Sequence, residues 1–260
     1  MVDWLGATLP VMSDTQPSTA PPATCTWQIE YNGVKRNFTL FDTRLGKTAC
    51  EEVLSGKSYP KLSLVGQINS IVDVGANVGA ATIYFAIQFP GARIWAFEPS
   101  PECFALLTAN TRDLAQIRCF NFGLLDRNQE AVLFRGKDDA VASSIGTSRE
   151  QSGVGQAVTL RAAHNAFVEA GILAIDILKL DTEGCEVAIL RSLLPMLPRI
   201  GVIYVEFHSE DDRLEIDRLL IPTHALFQGS VTKPYRGELC YVARQCLPAS
   251  IVKGAGISME

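Results

Sequence analysis

Residues 71–98, IVDVGANVGAATIYFAIQFPGARIWAFE, decide the fold. An apolar strand ends near Asp73, the turn Gly75-Ala76-Asn77-Val78-Gly79 opens a helix, and a second apolar strand stops at Glu98. That order is one half of a nucleoside-binding sheet. Gly75 and Gly79 carry no Cβ, so the backbone there can turn sharply and lie close to a ligand. Glu98 stands 23 residues beyond Gly75, about where an acid at the tip of the second strand meets ribose hydroxyls.

The glycine spacing narrows the ligand. Dinucleotide sites use G-x-G-x-x-G to seat a pyrophosphate on a helix N-terminus. Here the glycines stand four apart, with Asp73 in front of them and Asn77 between them. A carboxylate at the loop mouth suits a ligand carrying an ammonium and a sulfonium better than an anion. S-adenosylmethionine is such a ligand. The plain alternative is a strand-turn-helix whose glycines only permit close packing.

Composition agrees with one enzyme-sized α/β unit. The chain has 260 residues, 47% of them hydrophobic, enough to bury a full core. A net charge of −5 with scattered Lys and Arg argues against general binding to nucleic acid or anionic membranes. Residues 1–34 contain no Lys or Arg, so the basic segment of a secretory signal is missing, and no apolar run approaches the length of a membrane span. A soluble cytoplasmic protein is expected. Seven cysteines without a C-x-x-C pair read as small buried hydrophobes in a reducing compartment. Cys240 and Cys246 are the one pair to check.

Residues 1–25, rich in Pro, Ser and Thr, read as a flexible leader. Residues 26–62 read as a cap: Asn32-Gly33 specifies a hairpin turn between Trp27–Tyr31 and Val34–Leu40, and a helix follows near Thr48–Leu54. Residues 63–246 form the catalytic domain and 247–260 a tail. From Ser70 onward strands (Ile71–Val74, Arg93–Phe97, Arg118–Gly123, Val132–Phe134, Ile175–Leu180, Gly201–Phe207) alternate with helices over 80–89, 101–113, 162–170, 185–194 and 210–220. Alternation predicts a doubly wound, mostly parallel, seven-stranded α/β sheet. His224–Gly229 and Glu238–Arg244, joined through Pro234 and Gly237, close it with an antiparallel hairpin. That ending is the pattern of class I methyltransferases rather than of dehydrogenases.

The strand Ile175–Leu180 delivers Asp181 to the carboxyl end of the sheet, where open α/β sheets bind ligands. Glu183 and Glu186 begin the next helix, and acids in a first turn oppose the macrodipole by roughly 0.3–1 kcal/mol each. Lys179 lies within the apolar strand, and a buried ammonium needs a partner. Asp181 and Glu183 are its candidates.

Three blocks, IVDVGANVG at 71–79, FEPSP at 97–101 and KLDTEGCE at 179–186, resemble the hallmarks of the FkbM-type methyltransferases over roughly residues 70–210. The resemblance implies a class I Rossmann-like fold, S-adenosylmethionine as donor, and a hydroxyl acceptor on a sugar, glycolipid or polyketide-type natural product. It implies that Glu98, with Pro99 beside it, holds the ribose. The loop Asp73, Gly75, Ala76, Asn77, Gly79 holds the methionine moiety. Gly123 and Asp126 lie on the adenine side, and Ser143 with Ser144 matches a serine pair. Where the family usually has Leu-Asp, this chain reads Leu160-Arg161.

An aliphatic hydroxyl must lose a proton on methylation, and a base with a pKa near working pH contributes about 10²–10⁴-fold. His208 is the histidine that follows a sheet strand, and period-two alternation puts it on one side with Glu206, beside Asp181. The catalytic candidates are therefore His208, Asp181, Glu206, Lys179 and Glu183. His164 and His224 read as surface or packing residues. A divalent ion on Asp181, Glu206 and His208 would suit Mg²⁺ or Mn²⁺, but no metal is required. The sequence leaves open a nicotinamide-dependent oxidoreductase, a non-catalytic nucleoside-binding protein, and the oligomeric state, a homodimer included.

Overall fold

The computed structural model describes residues 23–62, 66–136, 139–145 and 155–248. The leader up to residue 22 and the tail from 249 lie outside the described residues. β1 (Thr24–Tyr31) and β2 (Val34–Phe41) form the expected hairpin. Its turn places Asn32 at φ 51° and Gly33 at φ 74°, the pair of positive angles that a two-residue hairpin turn demands. Phe38, Leu40 and Phe41 bury one face of it. Asn110 fastens the hairpin to the glycine loop, because its amide bonds both Thr39 N and O at 2.8 Å and the Val78 carbonyl at 2.8 Å.

α1 (Arg44–Leu54) leads into β3 (Ser70–Val74), α2 (Ala80–Gln88), β4 (Arg93–Phe97), α3 (Pro101–Thr111) and β5 (Ile117–Phe120). β6 (Gly123–Leu125), β7 (Gln129–Gly136), β8 (Asp139–Ile145) and β9 (Gly155–Ala162) precede α4 (Ala163–Ala170) and β10 (Ile175–Leu180). α5 (Glu186–Ser192), β11 (Ile200–Phe207), α6 (Glu210–Leu220), β12 (His224–Lys233) and β13 (Arg236–Ala243) complete the chain. The main sheet has seven strands in the order β12-β13-β11-β10-β3-β4-β5. Six run in one direction, and β13 lies antiparallel to both of its neighbours, β11 and β12. The doubly wound sheet with a terminal hairpin is the fold expected.

The residues alternating along these strands feed two cores. One holds Phe97, Phe167, Leu180 and Ile189 with the α4–α6 side; the other holds Ile71, Ile83, Phe85 and Val202 with α1, α2 and the hairpin. Burying each such side chain contributes about 1.5–3 kcal/mol. All seven cysteines are free. Among the described residues no helix is long and apolar enough to cross a membrane.

One expectation fails. Arg118–Gly123 is not a single strand: the chain leaves the sheet after Phe120, where the Asn121 amide donates to the carbonyls of Glu98 (3.0 Å) and Pro99 (3.2 Å). It resumes as β6 in a separate four-stranded sheet, ordered β6-β9-β7-β8. Val132–Phe134 is the middle of β7 in that sheet. Gly123 is needed where the two sheets meet, since a Cβ there would fall 2.6 Å from the Leu160 side chain.

Candidate active site

At the carboxyl ends of β3, β4 and β10 the chain opens a cleft of about 280 Å³. Gly75, Asn77, Glu98, Pro99 and Gly123 line one side of it. Asp181, Glu183, Glu206 and Glu238 line another. A second cavity of about 50 Å³ continues from there between Lys57–Pro60 and Gln228–Ser230, sharing Ser58, Tyr59, Asp181, Glu206 and Glu238 with the cleft. Glu238, Tyr59, Ser58 and Glu52 carry no sequence motif. Only the register of β13 against β11, which sets Glu238 opposite Glu206, shows that Glu238 belongs here.

The glycine loop is built by crowding. Gly75 has φ +75°, and a Cβ on it would come within 1.8 Å of the Asp181 carbonyl oxygen. The N–H groups of Gly75 and Ala76 both donate to the Phe97 carbonyl at 3.0 Å. Gly79 caps α2 at φ +94° against Leu107 and does not line the cleft. Its role is packing. Ala76 faces a smaller apolar cavity of about 100 Å³ beneath α1.

Glu98 sits 6% exposed at the tip of β4. Asn77 N donates to its Oε2 and Ser100 N to its Oε1, both at 2.8 Å. Burial pushes its pKa up to about 7 against the pull of those two N–H groups. A buried carboxyl at the rim of a cleft, held by backbone donors, presents its remaining lone pairs to hydroxyl donors.

Asp73 does not stand at the loop mouth. It is fully buried, accepts a hydrogen bond from Thr82 Oγ1 at 2.6 Å and pairs with Lys179 Nζ at 3.1 Å. The residue read as an attraction for a cationic ligand instead neutralises an internal lysine. Lys179 Nζ also donates to the Gly75 carbonyl at 2.7 Å and lies 3.5 Å from Asp181. Burial opposes its charge, yet Asp73 and Asp181 hold its pKa well above the ordinary lysine range. Glu183, the other candidate partner, faces His208 and Arg236 instead.

His208 is surrounded by carboxylates that favour its charged form. Its Nε2 lies 3.1 Å from Glu183 and 3.6 Å from Glu206, and its Nδ1 lies 3.8 Å from Glu186. Neither nitrogen makes an aligned hydrogen bond, so these are charge contacts. Burial lowers its pKa, but Glu183 and Glu186 outweigh burial and raise it to about 10. Glu186 is placed structurally, accepting from Thr182 N (2.7 Å), Thr182 Oγ1 (3.0 Å) and Gly184 N (3.0 Å). Burial and then Asp181 push the Glu206 pKa up to about 9. Asp181 is held down because Lys179 outweighs its burial. Of the two carboxyls, Glu206 is the one whose neutral form is favoured. Among the described residues no group of three or more His, Cys, Asp and Glu is arranged to hold a metal ion. The set Asp181, Glu206, His208 is an acid pair beside an imidazole whose charged form its carboxylate neighbours favour.

Asp126 is exposed beyond β6, 3.2 Å from Arg127, and does not line the cleft. Ser143 pairs with Arg135 in β8; its side chain lies outside the described residues. Arg161 stacks over the Phe122 ring at 4.9 Å and pairs with Glu169 at 2.5 Å, so its departure from the family pattern serves packing. His224 is buried, bonding Thr223 Oγ1 and the Ile200 carbonyl.

The strand order, the terminal hairpin and the cleft at the strand tips define a class I methyltransferase fold. The model of the methyltransferase FkbM domain matches residues 73–228, well over half of the chain, and the protein belongs to that family. The hexuronic acid methyltransferase AglP of Haloferax volcanii is 27% identical over 66% of this chain and 69% of its own. The 2-O-methyltransferase NoeI of Sinorhizobium fredii is 26% identical over 54% and 64%. The 31-O-demethyl-FK506 methyltransferase FkbM of Streptomyces tacrolimicus is 27% identical over 55% and 67%. This chain spans about two thirds of the length of each.

Proposed function

We propose that the protein transfers a methyl group from S-adenosylmethionine to a hydroxyl of a sugar, glycolipid or polyketide-type acceptor. The observation that carries the reading is the continuous cleft, with a nucleoside-type rim at Gly75, Asn77 and Glu98 leading into an acid-lined cavity bounded by Tyr59, Glu206 and Glu238. Family membership and the names of the three relatives, two of which specify an oxygen, support the same reading.

The residues fit the donor. Glu98 would accept from the ribose hydroxyls, Asn77 and the Gly75 backbone would flank the nucleoside side, and Phe97, Leu124 and Leu160 supply an apolar wall. Bound there, the donor supplies an electrophilic methyl on a sulfonium. The chain's part is to hold an acceptor oxygen at near-attack distance and to take up its proton. Asp181, ionised beside Lys179, also favours a positive charge in the cleft, because an opposite charge is worth more where water is excluded. The test is a screen of glycosides and macrolide alcohols with isotopically labelled donor methyl, read by mass spectrometry. A labelled methyl ether is expected. A label found only on nitrogen or carbon, or no transfer, would refute the reading.

A further inference from the structure

Five side chains stand where the donor cleft meets the second cavity: Ser58, Tyr59, Asp181, Glu206 and Glu238. Asp181 is tied to Lys179 at 3.5 Å, and Glu206 faces Nε2 of His208 at 3.6 Å. Glu238 differs: its side chain forms no hydrogen bond or ion pair with a described residue. β13 places it directly across from Glu206, half-buried on the wall common to both spaces.

Resting on the O-methylation reading above, we infer that Glu238 is the general base of the transfer, its carboxylate taking the proton of the acceptor hydroxyl at the junction of the two cavities. The O–H bond breaks toward Glu238 as an oxygen electron pair forms the new bond to the methyl carbon. The methyl–sulfur bond breaks with its pair going to sulfur. A sulfonium, an alcohol and a carboxylate become a thioether, an ether and a carboxylic acid, so charge balances.

The surroundings suit this role. Facing Glu238 are Lys179 of β10, Asp181 just beyond its end, Glu52 of α1, Tyr59 of the loop that follows α1, and Glu206 of β11, with Lys57 on the second cavity. Burial, then Asp181 and Glu52, push its pKa up to about 7 against Lys179, and a base matched to working pH transfers protons most effectively. Its rivals are less suited. Asp181 is a weaker base because its pKa is lowered, burial and Asp181 favour the neutral form of Glu206, and the carboxylates around His208 favour its charged form. Glu98 is held by backbone N–H groups at the ribose rim and does not line the second cavity.

The test is Glu238→Gln in the full chain, with two readouts. In protein labelled with ¹³C at glutamate carboxyls, a resonance titrating near pH 7 is expected to vanish in the variant, while that of Glu98 stays. The absence of such a loss overturns the inference. On a hydroxyl acceptor from the screen, kcat is expected to fall by roughly 10²–10⁴-fold with loss of the acid limb of the pH profile. Affinity for S-adenosylhomocysteine stays as in wild type and thermal stability does not fall, which a merely structural role would not allow. Glu238→Asp restores part of the rate. Wild-type kcat or a surviving acid limb in Glu238→Gln overturns the inference alone, whereas a wild-type enzyme that methylates no hydroxyl overturns the O-methylation reading.

Discussion

Replacing Lys179 by Met removes the cation around which the site is organised while nearly keeping its volume. Lys179 is 2% exposed and Asp73 0%, and their atoms stand 3.1 Å apart. Removing one partner of such a pair strands the other charge and costs about 3–5 kcal/mol. Against a total stability of roughly 5–15 kcal/mol, that is a large fraction, and in a domain of this size it lowers Tm by roughly 6–20 °C. The ammonium also holds the Gly75 carbonyl at 2.7 Å, so affinity for S-adenosylhomocysteine falls as well. Urea unfolding of Lys179→Met, Asp73→Asn and the double variant completes a cycle. Because the double variant no longer strands the fully buried Asp73 carboxylate, its loss is smaller than the sum of the two, by a coupling of about 0.5–3 kcal/mol. A loss below about 1 kcal/mol for Lys179→Met, the size of an exposed ion pair, would refute the reasoning.

Further outcomes follow from single residues. Gly75→Ala and Gly171→Ala share φ +75°, but a Cβ at Gly171 meets nothing within 4 Å. Gly171→Ala therefore loses only the left-handed penalty of about 1–2 kcal/mol, and Gly75→Ala loses well beyond that, by circular dichroism melts. Ser209 caps α6 by accepting from Asp212 N at 3.0 Å, and Ser209→Ala costs about 1 kcal/mol in denaturant unfolding. Glu98, raised from 4.5 to about 7 in the fold, holds a proton there that the unfolded chain has already released. Its contribution to stability is therefore lost as pH rises from about 4.5 to 7, and Glu98→Gln flattens the stability profile across that window.

Much of this was legible in the chain. The glycine turn, the acid at 98 and the Lys179–Glu186 block lie on regular strands and helices whose periodicity announces them, and the Asn32-Gly33 turn forms as its composition demands. What stayed hidden depends on contacts between distant segments. The four-stranded sheet escaped because β6 is three residues long, and the break after Phe120 depends on Asn121 reaching back to Glu98 and Pro99. Asp73 is an acid before a glycine turn whether it faces a ligand or an internal lysine. His208 has a base's position, but three carboxyl groups from β11, α5 and the loop before α5 favour its charged form. Glu238 stands in a hairpin strand with nothing to mark it until the register with β11 is known.

Calorimetric titration of S-adenosylhomocysteine into wild type and Glu98→Gln probes the donor site itself. Saturable one-site binding is predicted for wild type, weakened in the variant by about 1.5–3 kcal/mol for the lost charge-assisted hydrogen bonds, roughly 10–150-fold in Kd. No heat from wild type at high micromolar ligand, or equal affinity in both proteins, would contradict a donor held by the rim at Gly75, Asn77 and Glu98.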